Sequence, residues 1–406
     1  MSTVANQFDP PTAAPEWRRV QRGALIAAAA GLVICAVGAL VNLDQLLHSY
    51  LVAFLLVLGV TLGSMALVML QHLTGGAWGL ILRRLLEAAM RCLPLVAVLF
   101  LPLALGVPRI YEWAQPEWQE TYRHMHPGAA FGKADYLSPN LFYLRATIYF
   151  LAWLLLMLFL NRWSREQDRT RDVALPRRFR LLSGPGLGLY GGTITFAAID
   201  WVMSLQPDWY STIFGVILAV GQVLSAFAFG IALVVLLAQY PPLRDVVQPN
   251  HLRDLGNLML AFVMLWAYMS FSQFLLIWAG NLKEEIPFYL YRGQGGWQWV
   301  AAALALCQFA LPFILLLSRD VKTNRGRLVG VALLVLVMRF VDLYWIVMPA
   351  FDQTHVGLSV HWLDLGAVLL LGGLWLAFYL WQLGRAPLLP VGDPFLGDLR
   401  ENPHYD

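Results

Sequence analysis

Six ionisable residues, Arg145, Asp200, Arg339, Asp342, His361 and Asp364, fall within or at the ends of apolar stretches long enough to cross a membrane. An ionised side chain at membrane depth costs about 3 kcal/mol or more, so such residues pair with one another, face a polar cavity, or mark a proton or substrate path. A carboxylate in that setting can hold a proton, hand it on, or accept a hydrogen bond from a quinol hydroxyl. Arg339 and Asp342, three residues apart, share a helix face and are expected to form an ion pair that ties helices together. Asp200 and Asp364 have no Lys or Arg close by in the sequence, and Asp364 has only the titratable His361. For these two the favoured reading is functional: a polar cavity that binds a quinol head group or passes protons. Trp201, Tyr344 and Trp345 would be its apolar walls, or simple membrane-interface anchors.

A second, thinner set comprises His72, Glu87 and Asn257. Glu87 with Arg83 or Arg84 reads as a surface or interfacial pair rather than half of a channel. Gln222, Gln273 and Gln308 lie within spans, where interhelical hydrogen bonding is their default role. A b-type haem needs two histidines facing each other at one depth. His72 and His361 fall near opposite ends of their spans, and His48, His124, His126, His251, His355 and His404 fall in loops or tails, so no haem is expected. Cys35, Cys92 and Cys307 form no C-x-x-C pair, which excludes c-type haem attachment and a cysteine-held iron–sulfur cluster on this chain. No catalytic group and no metal-ligand set is assigned.

Long helices are needed to position these residues. Of the 406 residues, 59% are hydrophobic and 13% charged, against about 25% charged in a soluble domain. That is the composition of an all-α integral membrane protein. The net charge of +3 is small and implies no nucleic-acid partner. Ten apolar runs are long enough to span a bilayer: 23–41, 51–71, 90–106, 141–160, 187–204, 212–238, 252–279, 297–317, 328–348 and 361–383. They form a membrane domain over 23–383, flanked by segments 1–22 and 384–406. Most Lys and Arg fall on one side, including the basic loop 161–186, while the other side holds Arg109, Arg123, Lys133, Lys283 and Arg292. By the positive-inside rule both termini are cytoplasmic. The six residues then fall in the outer half of the membrane, and His72 and Glu87 in the inner half. The long outer loop, 107–140, carries Tyr111, Trp113, Trp118 and Tyr122. It reads equally as an interfacial aromatic belt with a short surface helix and as a docking surface for an extracytoplasmic partner.

The stretch Asp200-Trp-Val-Met-Ser-Leu-Gln-Pro-Asp-Trp-Tyr-Ser-Thr-Ile-Phe-Gly215 resembles a segment of the second large membrane subunit of bacterial alternative complex III. That complex is a quinol:cytochrome c oxidoreductase, and the subunit belongs to the polysulfide-reductase-type (NrfD-like) membrane proteins. Gly76-Ala-Trp-Gly79 leading into Arg83-Arg-Leu-Leu-Glu87 is similar to the same pattern, as is Tyr136-Leu-Ser-Pro-Asn-Leu-Phe-Tyr-Leu-Arg145. Arg339-Phe-Val-Asp-Leu-Tyr344 with Met348-Pro349, and His361-Trp-Leu-Asp364, complete it. The resemblance implies about ten transmembrane helices, two four-helix bundles plus two peripheral helices. It implies a bacterial inner (cytoplasmic) membrane location and three kinds of partner: a homologous NrfD-like subunit, an extracytoplasmic iron–sulfur subunit and c-type cytochrome subunits. It implies menaquinol or another quinone as bound substrate, with no redox centre on this chain. The quinol site of such complexes lies on the homologous partner; the subunit resembled here is labelled quinone-binding and has been given a proton-translocating role. Two other readings are a membrane anchor without chemistry of its own and an independent proton-coupled transporter. The transporter reading wants matched broken helices, whereas Pro94, Pro102 and Pro312 lie near span ends or alone.

Overall fold

The computed structural model describes residues 15–125, 132–172, 174–351 and 357–396. The expected terminal segments 1–22 and 384–406 and the outer loop 107–140 are thus described in part, and His126, His355 and His404 lie outside the described residues. Among the described residues every regular element is a helix. Ten long ones dominate. They are α1 (Pro15–Val41), α2 (Leu43–Thr74), α3 (Ala77–Leu105), α4 (Pro139–Thr170) and α5 (Leu175–Trp201). The chain continues with α6 (Phe214–Leu237), α7 (Pro249–Gly280), α8 (Trp297–Leu317), α9 (Arg325–Val347) and α10 (Trp362–Leu383).

Among the described residues, nine of these are long and apolar enough to cross a membrane. The chain is therefore an all-helical, multi-pass membrane protein. The exception is α5, which contains the fifth expected span, 187–204, up to its last turn. It is continuous over 27 residues, but its many glycines and Pro185 dilute its apolar content. The third expected span, 90–106, extends further at its start, as the apolar residues before it suggest. Its helix begins at Ala77, and the stretch Ala77–Met90, despite Arg83, Arg84 and Glu87, is buried almost throughout. Pro94 and Pro102 interrupt the hydrogen-bond ladder and break α3 into short segments.

The core is built on α2 and α6, apolar on all sides as a central membrane helix should be. Over their most apolar windows they are 94% and 72% buried, against 22% for α7 and α8. Helix α2 packs against α3, α5, α6 and α10, and α6 also packs against α5, α7 and α9. Helix α1 lies along α10 and buries only a stripe that includes Ala24, Ala28 and Cys35. The central turns of α8, Leu304–Ala310, are wound as a π-helix, a rare geometry frequent at functional sites. Beyond α10 the chain folds back, and Leu388 and Leu389 are fully buried.

The aromatic residues of the 107–140 loop divide. Tyr111 and Trp113 are buried against Phe142 on α4, so they belong to the core. Trp118 stacks on Tyr122 at 4.9 Å on the helix Pro116–Met125, which buries no residue. His48 and His251 lie within α2 and α7 rather than in loops. His48 stacks on Phe351 at 3.5 Å, and His251 Nδ1 accepts the Gln248 backbone N–H at the start of α7.

Candidate functional site

The six expected site residues separate into three groups. Asp200, near the end of α5, is completely buried. Arg145, on the first turns of α4, donates from Nε and Nη2 to its two oxygens, each at 2.8 Å. The Tyr149 hydroxyl donates to Oδ2 at 2.7 Å. Arg145 is fixed in turn by the Tyr136 carbonyl at 2.9 Å and lies over the Tyr136 ring, 3.9 Å from its centroid. A bidentate guanidinium–carboxylate pair is the strongest form of this contact. The expectation that Asp200 lacks a cation is thus corrected: its partner comes from another helix, out of reach of local spacing. Trp201, beside it, packs among Phe100, Phe150 and Trp153 as a core residue.

Asp364 is buried at the start of α10, and among the described residues it has three donors and no cation. Ser49 Oγ donates at 2.6 Å, the Tyr344 hydroxyl at 3.0 Å, and the His361 backbone N–H at 2.8 Å. The last contact closes a capping box, because His361 Nδ1 accepts the Leu363 N–H. His361 therefore meets Asp364 through its main chain, and its ring is spent on the cap. The helix dipole also favours a carboxylate at this position.

Arg339 and Asp342, both buried, pair on one face of α9. With the Gln308 amide oriented to donate to the Met338 carbonyl (2.9 Å), its oxygen accepts from Arg339 Nη1 at 3.3 Å. The π-turns of α8 carry Gln308 to that contact. On the other side, a Cβ at Gly221 of α6 would lie 2.0 Å from Arg339 Nη2. Gly221→Ala is accordingly expected to push the guanidinium off Asp342 and cost about 1–3 kcal/mol, as overpacking does; thermal unfolding in detergent measures it.

His72 and Glu87 lie at the far end of α4 from Arg145. Glu87 accepts from Arg83 Nε at 2.9 Å, Arg84 Nη1 at 2.8 Å and the Ser164 hydroxyl. Arg83 also donates to Asp393 at 2.8 Å and to Gln167 at 2.8 Å, and Arg84 donates to Asp168. The glutamate and both arginines are each 1% exposed, so the surface pair expected from sequence is a buried network. Phe179 links it to His72, stacking on the imidazole at 4.2 Å beneath the Arg83 guanidinium.

Of all these residues, only Asp342 lines the large cavity between α7, α8, α9 and the short helix Pro287–Arg292. The cavity measures about 880 Å³, within the range of small-molecule sites. Its mouth is apolar and formed by exposed residues of α7, among them Tyr268, Phe271 and Trp278. Its polar lining comprises Asp342, Gln273, Tyr289 and Arg292 among others, and Trp266 and Trp345 also stand in the wall. Ser211 Oγ donates to Gln273 Oε1 at 2.8 Å, and Gln273 Nε2 donates to the Tyr289 hydroxyl at 3.2 Å. Burial pushes the Tyr289 phenol up to about 12, so it keeps its proton at neutral pH.

Arg292 is buried over the Phe288 ring, 3.5 Å from its centroid. It donates to the carbonyls of Trp345 (3.0 Å), Phe288 (2.9 Å) and Ile346 (2.5 Å), and to Gln206 Oε1 (3.4 Å). Burial lowers its affinity for its proton to a pKa of about 9, leaving it charged at neutral pH. Tyr289 and Arg292 had no signal as site residues beyond an arginine in the aromatic run Phe-Tyr-Leu-Tyr-Arg between two spans. No family model matches the chain, and no curated protein matches it.

Proposed function

We propose that the chain is a membrane subunit of a quinol:electron-acceptor oxidoreductase of the alternative complex III type, contributing to quinol binding or proton translocation. The observation that carries this reading is the lateral cavity of about 880 Å³ whose apolar mouth leads to one buried carboxylate, Asp342. A quinol needs that combination: apolar walls for the isoprenoid tail and a protonatable group for a ring hydroxyl. Asp342 would accept the hydroxyl hydrogen bond and take up its proton, with Arg339 paired behind it. In this reading both termini are cytoplasmic, α5 completes a set of ten spans, and eight of the spans form two four-helix bundles in a bacterial inner membrane. The quinone would be substrate. The iron–sulfur cluster and haems would reside on an extracytoplasmic iron–sulfur subunit and c-type cytochrome subunits, beside a homologous NrfD-like membrane partner.

Asp342→Asn in the assembled complex tests this. Quinol-dependent turnover should fall by about 10²-fold, the scale of a lost proton acceptor, with subunit composition unchanged. Unchanged turnover removes Asp342 from the chemistry. A second reading, a membrane anchor without chemistry, is favoured by one observation: Asp200 is saturated by Arg145 and Tyr149. It expects carboxylate substitutions to alter only assembly or yield.

A further inference from the structure

The cavity also carries information about what kind of head group it admits. Arg292 lines it and Arg339 pairs with its Asp342, and both cations are engaged. Arg292 spends four of its N–H groups on three backbone carbonyls and Gln206, out of the five that a guanidinium has. Arg339 is held by Asp342. A phosphate would therefore meet the Asp342 carboxylate without a free guanidinium to offset it. The Tyr289 hydroxyl differs. It accepts from Gln273 Nε2, so its own hydrogen is directed elsewhere, and it stands in the wall of the cavity. Gln273 also accepts from Ser211 through Oε1, and in this amide orientation Nε2 faces the phenol.

We infer that Tyr289, oriented by the Ser211–Gln273 relay, is a ligand-recognition residue that donates a hydrogen bond to a ring oxygen, and that the cavity selects a neutral oxygen-bearing ring over an anionic lipid. This rests on the quinol reading of the same cavity. The donor Tyr289 and the acceptor Asp342 together suit a ring with one oxygen to receive and one to give a hydrogen bond. Tyr289 acts on affinity, because it binds the ring oxygen equally before and after chemistry.

The experiment uses the full chain in detergent, titrated with a decyl-chain naphthoquinone and separately with phosphatidylglycerol, binding being read from tryptophan quenching. The unaltered chain should bind the naphthoquinone and prefer it to phosphatidylglycerol. Tyr289→Phe and Gln273→Leu should each weaken the naphthoquinone about tenfold, the scale of one hydrogen bond. Neither should change phosphatidylglycerol binding, and the thermal midpoint of Tyr289→Phe should stay unchanged. If the unaltered chain binds the naphthoquinone and Tyr289→Phe binds it equally well, the recognition role is overturned while the quinol reading stands. A preference for phosphatidylglycerol overturns the selectivity. No naphthoquinone binding by the unaltered chain overturns both.

Discussion

Arg145→Leu should destabilise the protein by about 3–5 kcal/mol, because it strands a fully buried carboxylate without its cation. Tyr149 would remain as a donor to Asp200, but one neutral hydroxyl does not replace two charge-assisted bonds. The double variant Arg145→Leu with Asp200→Leu should recover most of that loss, since an apolar pair of similar volume suits a buried site about as well as an ion pair. Chemical unfolding in detergent measures both. A cost below about 1 kcal/mol for the single variant would mean that the pair does not hold α4 to α5. The double variant also separates structure from chemistry at Asp200. If its stability returns while turnover of the assembled complex stays lost, Asp200 has a task besides pairing with Arg145.

Glu87→Ala should cost about as much, roughly 3–5 kcal/mol, for a different reason. Glu87 stands between two guanidiniums and accepts from both, with the Ser164 hydroxyl as a further donor. Its removal leaves Arg83 and Arg84 side by side in a site that excludes water, restrained only by Asp168, Asp393 and neutral donors and acceptors. Glu87→Gln, which keeps the shape and one acceptor oxygen, should lie between the two. A midpoint for Glu87→Ala indistinguishable from the parent would show that the arginines relax to water or to their outer carboxylates without loss.

Most helix positions were legible because nine of the long helices carry strongly apolar runs, and the Arg339–Asp342 pair because both partners share one helix turn. The interhelical role expected for Gln222 was legible too, and it accepts from Tyr190 at 2.9 Å. What the sequence hid depends on how helices register against one another. Arg145 and Asp200 are 55 residues apart, and nothing in their spacing joins them. Glu87 looked like a surface residue because three arginines lie within four positions of it, a pattern that suits either a wet face or a buried network. The cavity was hidden for a further reason. Tyr289 and Arg292 sit in a six-residue helix too short to span a membrane, and only folding against α9 places them in one cavity wall with Asp342. The expected single polar cavity failed because three carboxylates at similar sequence-inferred depth lie on α5, α9 and α10, and each found its own donors.

The contact between Arg83 and Asp393 joins residues 310 positions apart, and Gly392 approaches α4 so closely that a Cβ there would lie 2.0 Å from the Gln167 carbonyl. The order of synthesis follows from this. Arg83, Arg84, Glu87 and Asp168 are synthesised long before the ribosome reaches residue 393, so the network cannot be completed until α5 to α10 have been made. The segment after α10 thus works as a closing seal on the fold, and any extension placed between Leu383 and Gly392 would delay or misdirect it.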